Sequence, residues 1–135
     1  MSLEEKERQE LIKYRIERAK TSVDDVKFLI ENDKLILAVN RIYYGVFYIL
    51  NALALKYKFS TSKHTQLLGW FNKNFVKAGI IEKADGKFVH LAFDKRSKGD
   101  YSDFVEFDKN EVNEMYIKME KFITKITNLI NRSIE

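Results

Sequence analysis

The sequence predicts an all-α fold, an up-and-down four-helix bundle with an additional short helix, formed by one domain over residues 1–135. Proline is absent and there are only five glycines, whereas loop-rich and β-rich folds depend on both residues. Apolar residues make up 45% of the chain and charged residues 33%, which suits one core with a solvated surface. Two long segments also repeat apolar residues in alternating steps of three and four, which is typical of packed helices.

The first long helix is expected from about Leu3 to Asn32. Asn32 and Asp33 then interrupt the apolar pattern and supply cap-type side chains for the next helix. The apolar seam of the first helix contains Ile12, Ile16, Ala19, Val23, Val26 and Ile30.

The second helix, about Leu35 to Tyr57, is apolar nearly all round, as expected for an element surrounded by neighbours. It is long enough to cross a membrane, but Arg41 lies well inside it. A central arginine costs roughly 2.5–3.5 kcal/mol on insertion scales. We therefore interpret this segment as the core helix of a bundle and expect no membrane partner.

Two shorter helices follow in the sequence. The first is expected over His64–Lys77, with Gly79 as its stop, and Lys83–Gly86 is interpreted as a turn. The second is expected over Lys87–Lys98 and is predicted to end at Gly99.

The last long helix is expected from Lys109 to about Ser133, after an ordered crossing loop over residues 100–107. Asp108 and Glu111 form a capping-box-like pair at its start. Its seam contains Val112, Met115, Met119, Phe122, Ile126 and Leu129.

The composition excludes several kinds of chemistry. With no cysteine there is no disulfide, thiolate nucleophile or iron–sulfur cluster, and the chain is compatible with the cytoplasm, where we expect it. The charged segment Met1–Gln9 has no signal-peptide core. The two histidines lack metal-site spacing, and glycine-rich phosphate loops are absent, so we expect no metal and no cofactor.

Arg41 is the first candidate functional residue, because its charge lies in an apolar helix beside Asn40, Tyr43 and Tyr44. One interpretation is a buried ion pair with Asp24, Asp25 or Asp100 that fixes the helix register. The other is a phosphate or RNA contact in a cleft. We favour the first, since buried ion pairs are commonly structural.

A second candidate site is the segment from Lys95 to Tyr101, which contains Arg96, Lys98 and Asp100. A charged helix end with a cap is the favoured interpretation. The alternative is a polyanion site, in which Arg96 grips phosphate and Tyr101 stacks on a base. If the helix persisted to Asp100, Arg96 and Asp100 would share one face.

Together these segments resemble the HEPN domain superfamily, closest to its small stand-alone prokaryotic branch. The resemblance covers about residues 10 to 131 and depends on AVNRIYYGVFYILNALAL, SKHTQLLGWFNKNFVKAGII and KRSKGDYSDF. The ordered set is Arg41-x-Tyr43-Tyr44-x-x-Phe47, then His64, then Arg96-x3-Asp100-Tyr101. It implies a helical bundle that forms a homodimer and is paired with a minimal nucleotidyltransferase as a toxin–antitoxin or related system.

Many members of this family are metal-independent ribonucleases with an arginine followed four to six residues later by a histidine. Arg96 corresponds to that arginine, yet positions 101 to 103 are Tyr, Ser and Asp, and no arginine of this chain has such a histidine. Asp100 is a poor replacement, because a carboxylate is a weak base at neutral pH and repels phosphate.

We therefore expect binding of nucleotide or RNA, or pairing with a nucleotidyltransferase, without a clear catalytic motif. A ribonuclease toxin that uses Arg96 with His64 or Asp100 is the alternative, and a helical protein-interaction module is a third. The expected binding residues are Arg96, Lys98, Asp100, Tyr101, Arg41, Tyr44 and His64.

Overall fold

The computed structural model describes residues 2–101 and 105–132. Within these ranges the chain forms five α-helices and no β-strand, which confirms the all-α prediction. The helices are α1 (Leu3–Glu31), α2 (Leu35–Lys56), α3 (His64–Phe71), α4 (Lys83–Tyr101) and α5 (Lys109–Arg132).

Helix α2 is the central element, and it packs against each of the other four helices. It is also the one described helix long and apolar enough to cross a membrane, and half of its most apolar window is buried inside the bundle. The expected core helix is therefore present, but it is not covered all round. Ile36 and Leu37 in its first turn are exposed.

The two predicted seams form the walls of the core. Five of the six seam positions of α1 are buried and Val23 is partly buried against the core. In α5, the seam from Val112 to Ile126 is buried and Leu129 is partly buried. Heptad spacing places these side chains on one stripe, so burial of that stripe fixes how each helix is rotated towards α2.

Helix α3 is shorter than expected. It ends at Phe71 and continues as a π-helical segment, Asn72–Val76, in which the Lys77 amide donates to the Asn72 carbonyl at 2.8 Å. Gly79 then takes a φ of +80°, in the left-handed region where glycine has no Cβ penalty. The helical run, including its π-helical end, therefore stops before Gly79 as predicted, although the α-helix itself ends at Phe71.

Two boundaries of α4 were wrong in the sequence-based prediction. Residues 83–86 form its first turn rather than a separate turn, and the helix passes through Gly99 to Tyr101. Both glycines lie where another side chain approaches closely. A Cβ on Gly86 would lie 3.1 Å from Val76 Cγ2, and one on Gly99 would lie 3.4 Å from Phe107 Cε2. Packing therefore retains the helix at glycines that propensity alone would treat as breaks.

The predicted crossing loop lies only partly within the described residues. Residues 102–104 are outside them, and residues 105–108 have no regular secondary structure. The chain then enters α5, where the Val112 amide donates to the Asp108 carbonyl at 3.0 Å.

Candidate functional site

Five polar and aromatic side chains from three helices meet at one place beside the core. Helix α2 contributes Arg41, Tyr43 and Tyr44, α3 contributes His64 at its first residue, and α4 contributes Arg96. We call these five residues the arginine–aromatic cluster. Tyr43 is fully buried, whereas the other four are half-buried and keep some contact with solvent.

Two arginines from different helices contact the same ring in this cluster. The Cζ atoms of Arg41 and Arg96 each lie 5.4 Å from the centroid of the Tyr44 ring. Arg96 also donates a hydrogen bond from Nη2 to the Tyr44 hydroxyl at 3.0 Å. Guanidinium groups within about 6 Å of an aromatic centroid are attracted by the ring quadrupole. Tyr44 therefore brings two positive charges together at a half-buried surface.

The inner part of the cluster is a tyrosine–histidine pair. The Tyr43 hydroxyl and His64 Nδ1 share a hydrogen bond of 2.5 Å, and their ring centroids are 5.5 Å apart in a stacked arrangement. Phe47 also stacks on the His64 ring, with the two ring centroids 4.1 Å apart. Arg96 Cζ lies 5.5 Å from the Tyr43 centroid, so Arg96 and His64 both pack on Tyr43.

Burial favours the neutral forms of both members of this pair. The pKa of His64 is lowered from its ordinary value, first by desolvation and then by the positive charge of Arg96. Desolvation raises the pKa of Tyr43, an effect that the Arg96 charge only partly opposes. His64 is therefore a neutral imidazole at pH 7, and such a group can accept a proton.

The structure shows no ion pair of Arg41 with Asp24 or Asp25, and the side chain of Asp100, the third expected partner, lies outside the described residues. Among the described side chains, none of the carboxylates lies within ion-pair distance of Arg41; instead its Nη2 donates to the neighbouring Asn40 Oδ1 at 3.3 Å. Asp25 lines a shallow cavity together with Arg41 but does not pair with it. The side chain escapes burial because Arg41 lies on the edge of α2, where the Tyr44 ring replaces a carboxylate as its partner.

The remaining sequence candidates are near the end of α4. Lys98 is exposed. The helix does persist to Tyr101, so positions 96 and 100 are one turn apart, but the side chains of Asp100 and Tyr101 lie outside the described residues. Their role in binding stays a prediction.

The sequence-based prediction did not include Tyr43 and Phe47 as site residues. They are four residues apart on α2, so one helical face presents both rings to His64. Both belong to the motif that carried the family resemblance, which is the signal that could have identified them.

The cluster offers donors and aromatic faces rather than metal ligands. Within residues 2–101 and 105–132, no group of three His, Asp or Glu side chains could hold a metal ion. Guanidinium groups bind phosphate oxygens in a bidentate manner, and aromatic rings stack on bases. The arrangement can therefore hold a phosphate group beside a neutral imidazole.

Comparison with known proteins defines the class to which this fold and site belong. The family model of the HEPN domain matches residues 12–129, nearly the whole chain. The chain belongs to the HEPN family, as the sequence resemblance predicted.

Individual relatives agree over most of their lengths. A UPF0332 protein of Thermotoga maritima is 43% identical over 124 residues, covering 92% of this chain and 94% of the relative. Two proteins of Methanocaldococcus jannaschii, both named "putative toxin", are each 30% identical. Their alignments cover 88% and 90% of this chain, and 82% and 90% of the relatives.

Proposed function

We propose that this HEPN protein is cytoplasmic and binds RNA or a nucleotide through the arginine–aromatic cluster, as a component of a toxin–antitoxin-like system. The observation that carries the proposal is the placement of Arg41 and Arg96 within 5.4 Å of one tyrosine ring. Two guanidinium groups on a half-exposed ring form a surface that attracts phosphate, and the rings allow stacking of a base. The names of the two Methanocaldococcus relatives support the toxin–antitoxin setting.

RNA binding can be tested by fluorescence anisotropy with a labelled single-stranded RNA in EDTA. We expect Arg41→Ala to weaken binding about tenfold and to reduce the salt slope by about 0.7, as expected for one lost phosphate contact. The matched control is Arg132→Ala, which removes the same charge from the exposed end of α5. Equal losses in both variants would mean that binding follows net charge and does not occur at the cluster.

Two variants of Tyr44 provide a second test of RNA binding at the cluster. Tyr44→Phe removes the hydroxyl that accepts from Arg96 but retains the ring. We expect Tyr44→Phe to bind RNA more tightly than Tyr44→Ala does, because the phenyl ring still contacts the guanidinium groups and can still stack on a base. Unchanged affinity in Tyr44→Ala would contradict binding at the cluster.

The alternative function is a metal-independent ribonuclease, and the Tyr43–His64 pair is the observation that favours it. A neutral His64 would take the proton of the attacking 2′-hydroxyl while Arg96 stabilises the charge on the phosphate. The 2′-oxygen would bond to phosphorus as the bond from phosphorus to the 5′-oxygen breaks, and water would supply the proton that this oxygen takes up. The products would be a 2′,3′-cyclic phosphate and a 5′-hydroxyl end. This reaction places His64, which is distant in sequence from Arg96, in the role of the missing motif histidine.

Cleavage of RNA by the purified protein in EDTA separates the two functions. The ribonuclease requires turnover that is lost in both Arg96→Ala and His64→Gln, with retained activity in His90→Gln, whose side chain is exposed. That result would overturn binding without catalysis. No cleavage by the wild-type protein, together with RNA binding that Arg41→Ala weakens, would support the binding function.

A homodimer is the assembly that we propose for this protein. Phe28 and Leu37 are 61% and 54% exposed, and with Leu29 and Arg41 they line a shallow cavity of about 380 Å³. This apolar surface is continuous with the arginine–aromatic cluster through Arg41, so a second copy seated there would lie beside the site. Exposed apolar surface of this kind is typical of protein interfaces.

Sedimentation velocity tests the dimer. We expect Leu37→Asp to yield monomers at concentrations at which the wild-type protein is dimeric. Ile117→Asp is the control, because Ile117 on α5 is 48% exposed but lies outside the apolar surface. A wild-type monomer, or a dimer that Leu37→Asp leaves intact, would contradict this assembly.

A minimal nucleotidyltransferase is the partner that we propose for the system. We expect a minimal nucleotidyltransferase to be encoded beside this chain. Co-expression with that enzyme, followed by purification through a tag on the enzyme, should recover both proteins. An unrelated helical protein of similar net charge, co-expressed in the same way, is the control for adventitious capture. Recovery of the enzyme alone would contradict the pairing.

A further inference from the structure

A second cavity shares none of its lining residues with the arginine–aromatic cluster. It occupies about 530 Å³ between the N-terminal half of α1 and the C-terminal half of α5. Three isoleucines, Ile12, Ile16 and Ile130, provide apolar lining. The volume lies within the range of about 300–1,000 Å³ that is typical of small-molecule sites.

The polar lining of this cavity is strongly positive. Lys6, Lys13 and Lys20 are spaced by seven residues and therefore follow one face of α1 along its length. Arg8 and Lys56 add two more positive charges, whereas the described lining contains one carboxylate, Glu10, with which none of these cations forms an ion pair. The excess of positive charge is therefore concentrated at this cavity and does not follow from the net charge of the chain alone.

Arg8 fixes one end of the cavity. Its Nη1 donates to the carbonyl oxygens of Leu55 and Lys56 at 3.1 and 3.3 Å, at the C-terminal end of α2. The bond brings Lys56 beside another cation, and desolvation together with the Arg8 charge lowers the pKa of Lys56. The fold thus maintains like charges close together, an arrangement that an anion would stabilise.

An unpartnered hydroxyl also lines the cavity. Thr127 on α5 is only 9% exposed, and its Oγ1 has no hydrogen-bond partner within the described part of the chain. A buried hydroxyl without a partner costs about 1–3 kcal/mol, so such groups are expected to meet a ligand or a water. Thr127 lies on the same side as Ile130, where it can reach a ligand resting on the apolar lining.

We infer that this cavity binds a small amphipathic anion, a molecule with an apolar body and one negatively charged group. The isoleucines would cover the apolar body, a lysine of the α1 face would pair with the charge while its neighbours contribute a longer-range attraction, and the Thr127 hydroxyl would bond the ligand. The site shares no residue with the arginine–aromatic cluster, so the inference does not depend on RNA binding.

The test uses the full chain and the fluorescent anion anilinonaphthalene sulfonate as a probe. Octanoate, octanol and inorganic phosphate are compared as competitors. We expect octanoate to displace the probe at concentrations at least about tenfold below those of the other two, because only octanoate has both an apolar body and a charge. Displacement by octanol equal to that by octanoate would overturn the inference, as would equal displacement by phosphate.

A matched pair of triple variants locates the probe. Lys6→Gln, Lys13→Gln and Lys20→Gln together remove the lysine face, whereas Lys27→Gln, Lys118→Gln and Lys121→Gln remove the same charge from exposed positions elsewhere. We expect at least about a tenfold loss of probe affinity in the first variant and less than about a twofold loss in the second. Unchanged affinity in the first variant, or equal losses in both, would overturn the inference. Because all six lysines are exposed, circular dichroism should show intact folding in both variants.

Discussion

The Tyr43 hydroxyl and His64 Nδ1 share a hydrogen bond that joins the middle of α2 to the first residue of α3. The same imidazole stacks on Phe47 and on Tyr43, so the start of α3 is fixed to α2 by this hydrogen bond and by aromatic contacts. These contacts hold the end of the segment between the two helices against α2 at the candidate site. Stability and site geometry are consequently coupled through these two residues.

The coupling predicts a pH dependence of stability. Because the pKa of His64 is lowered in the folded protein, the unfolded chain binds more protons between that lowered pKa and the ordinary value of about 6.5. The contribution of His64 is therefore complete above about pH 6.5 and is lost as the pH falls through the folded-state pKa. Thermal unfolding from about pH 7.5 to 5.5 should show a decreasing midpoint, and the decrease should be smaller in His64→Gln. An identical pH profile in His64→Gln would contradict this origin, and exposed His90→Gln serves as the control.

Removal of the Tyr43 hydroxyl should destabilise the fold. Tyr43→Phe retains the ring packing but leaves His64 Nδ1 without its partner, at a cost of about 1–3 kcal/mol in the free energy of unfolding. Urea denaturation of the two proteins measures the difference. Tyr48→Phe is the control, because the Tyr48 hydroxyl accepts from exposed Arg18 and water can replace that bond. Equal losses of unfolding free energy in the two variants would show that the Tyr43–His64 bond contributes no more to stability than the exposed Tyr48–Arg18 bond.

The space around two glycines predicts opposite effects on stability when each is replaced by alanine. A Cβ on Gly45 would overlap Met119 Cε and lie 3.2 Å from Ser22 Cβ, within a fully buried region. Gly45→Ala should therefore cost about 1–3 kcal/mol. Gly69→Ala on α3 meets no atom within 4 Å and should stabilise the protein by about 0.5–1 kcal/mol through helix propensity. Chemical denaturation distinguishes them, and a neutral Gly45→Ala would mean that Met119 repacks freely.

The unpartnered hydroxyl of Thr127 predicts a stabilising substitution. Thr127→Val replaces the hydroxyl with a methyl group of similar shape and removes the cost of burying it, so the free energy of unfolding should rise by about 1 kcal/mol. Thr124→Val is the control, since Thr124 is exposed on the same helix. A destabilised Thr127→Val, measured in urea without ligand, would indicate that the hydroxyl has a partner in solution.

The sequence predicted the long helices to within one or two residues, but not the start of α4. Repeated apolar steps fix the rotation of α1 and α5, whereas Gly86 resembles a turn residue unless its contact with Val76 is known. The site was predicted in parts. Arg96 and His64 were both candidates, but among the described side chains Arg41 contacts the ring of Tyr44 and the amide of Asn40 rather than a carboxylate.

The sequence by itself determined the all-α class, the faces that form the core and the absence of thiol chemistry, because these depend on composition and local periodicity. Only the tertiary structure decided that Arg96 reaches Tyr44, 52 residues away, and that His64 reaches Tyr43, 21 residues away. Such contacts depend on how far one helix is shifted and rotated against another. The relative position of two helices depends on the packing of many side chains at once, so it cannot be derived from a local sequence pattern.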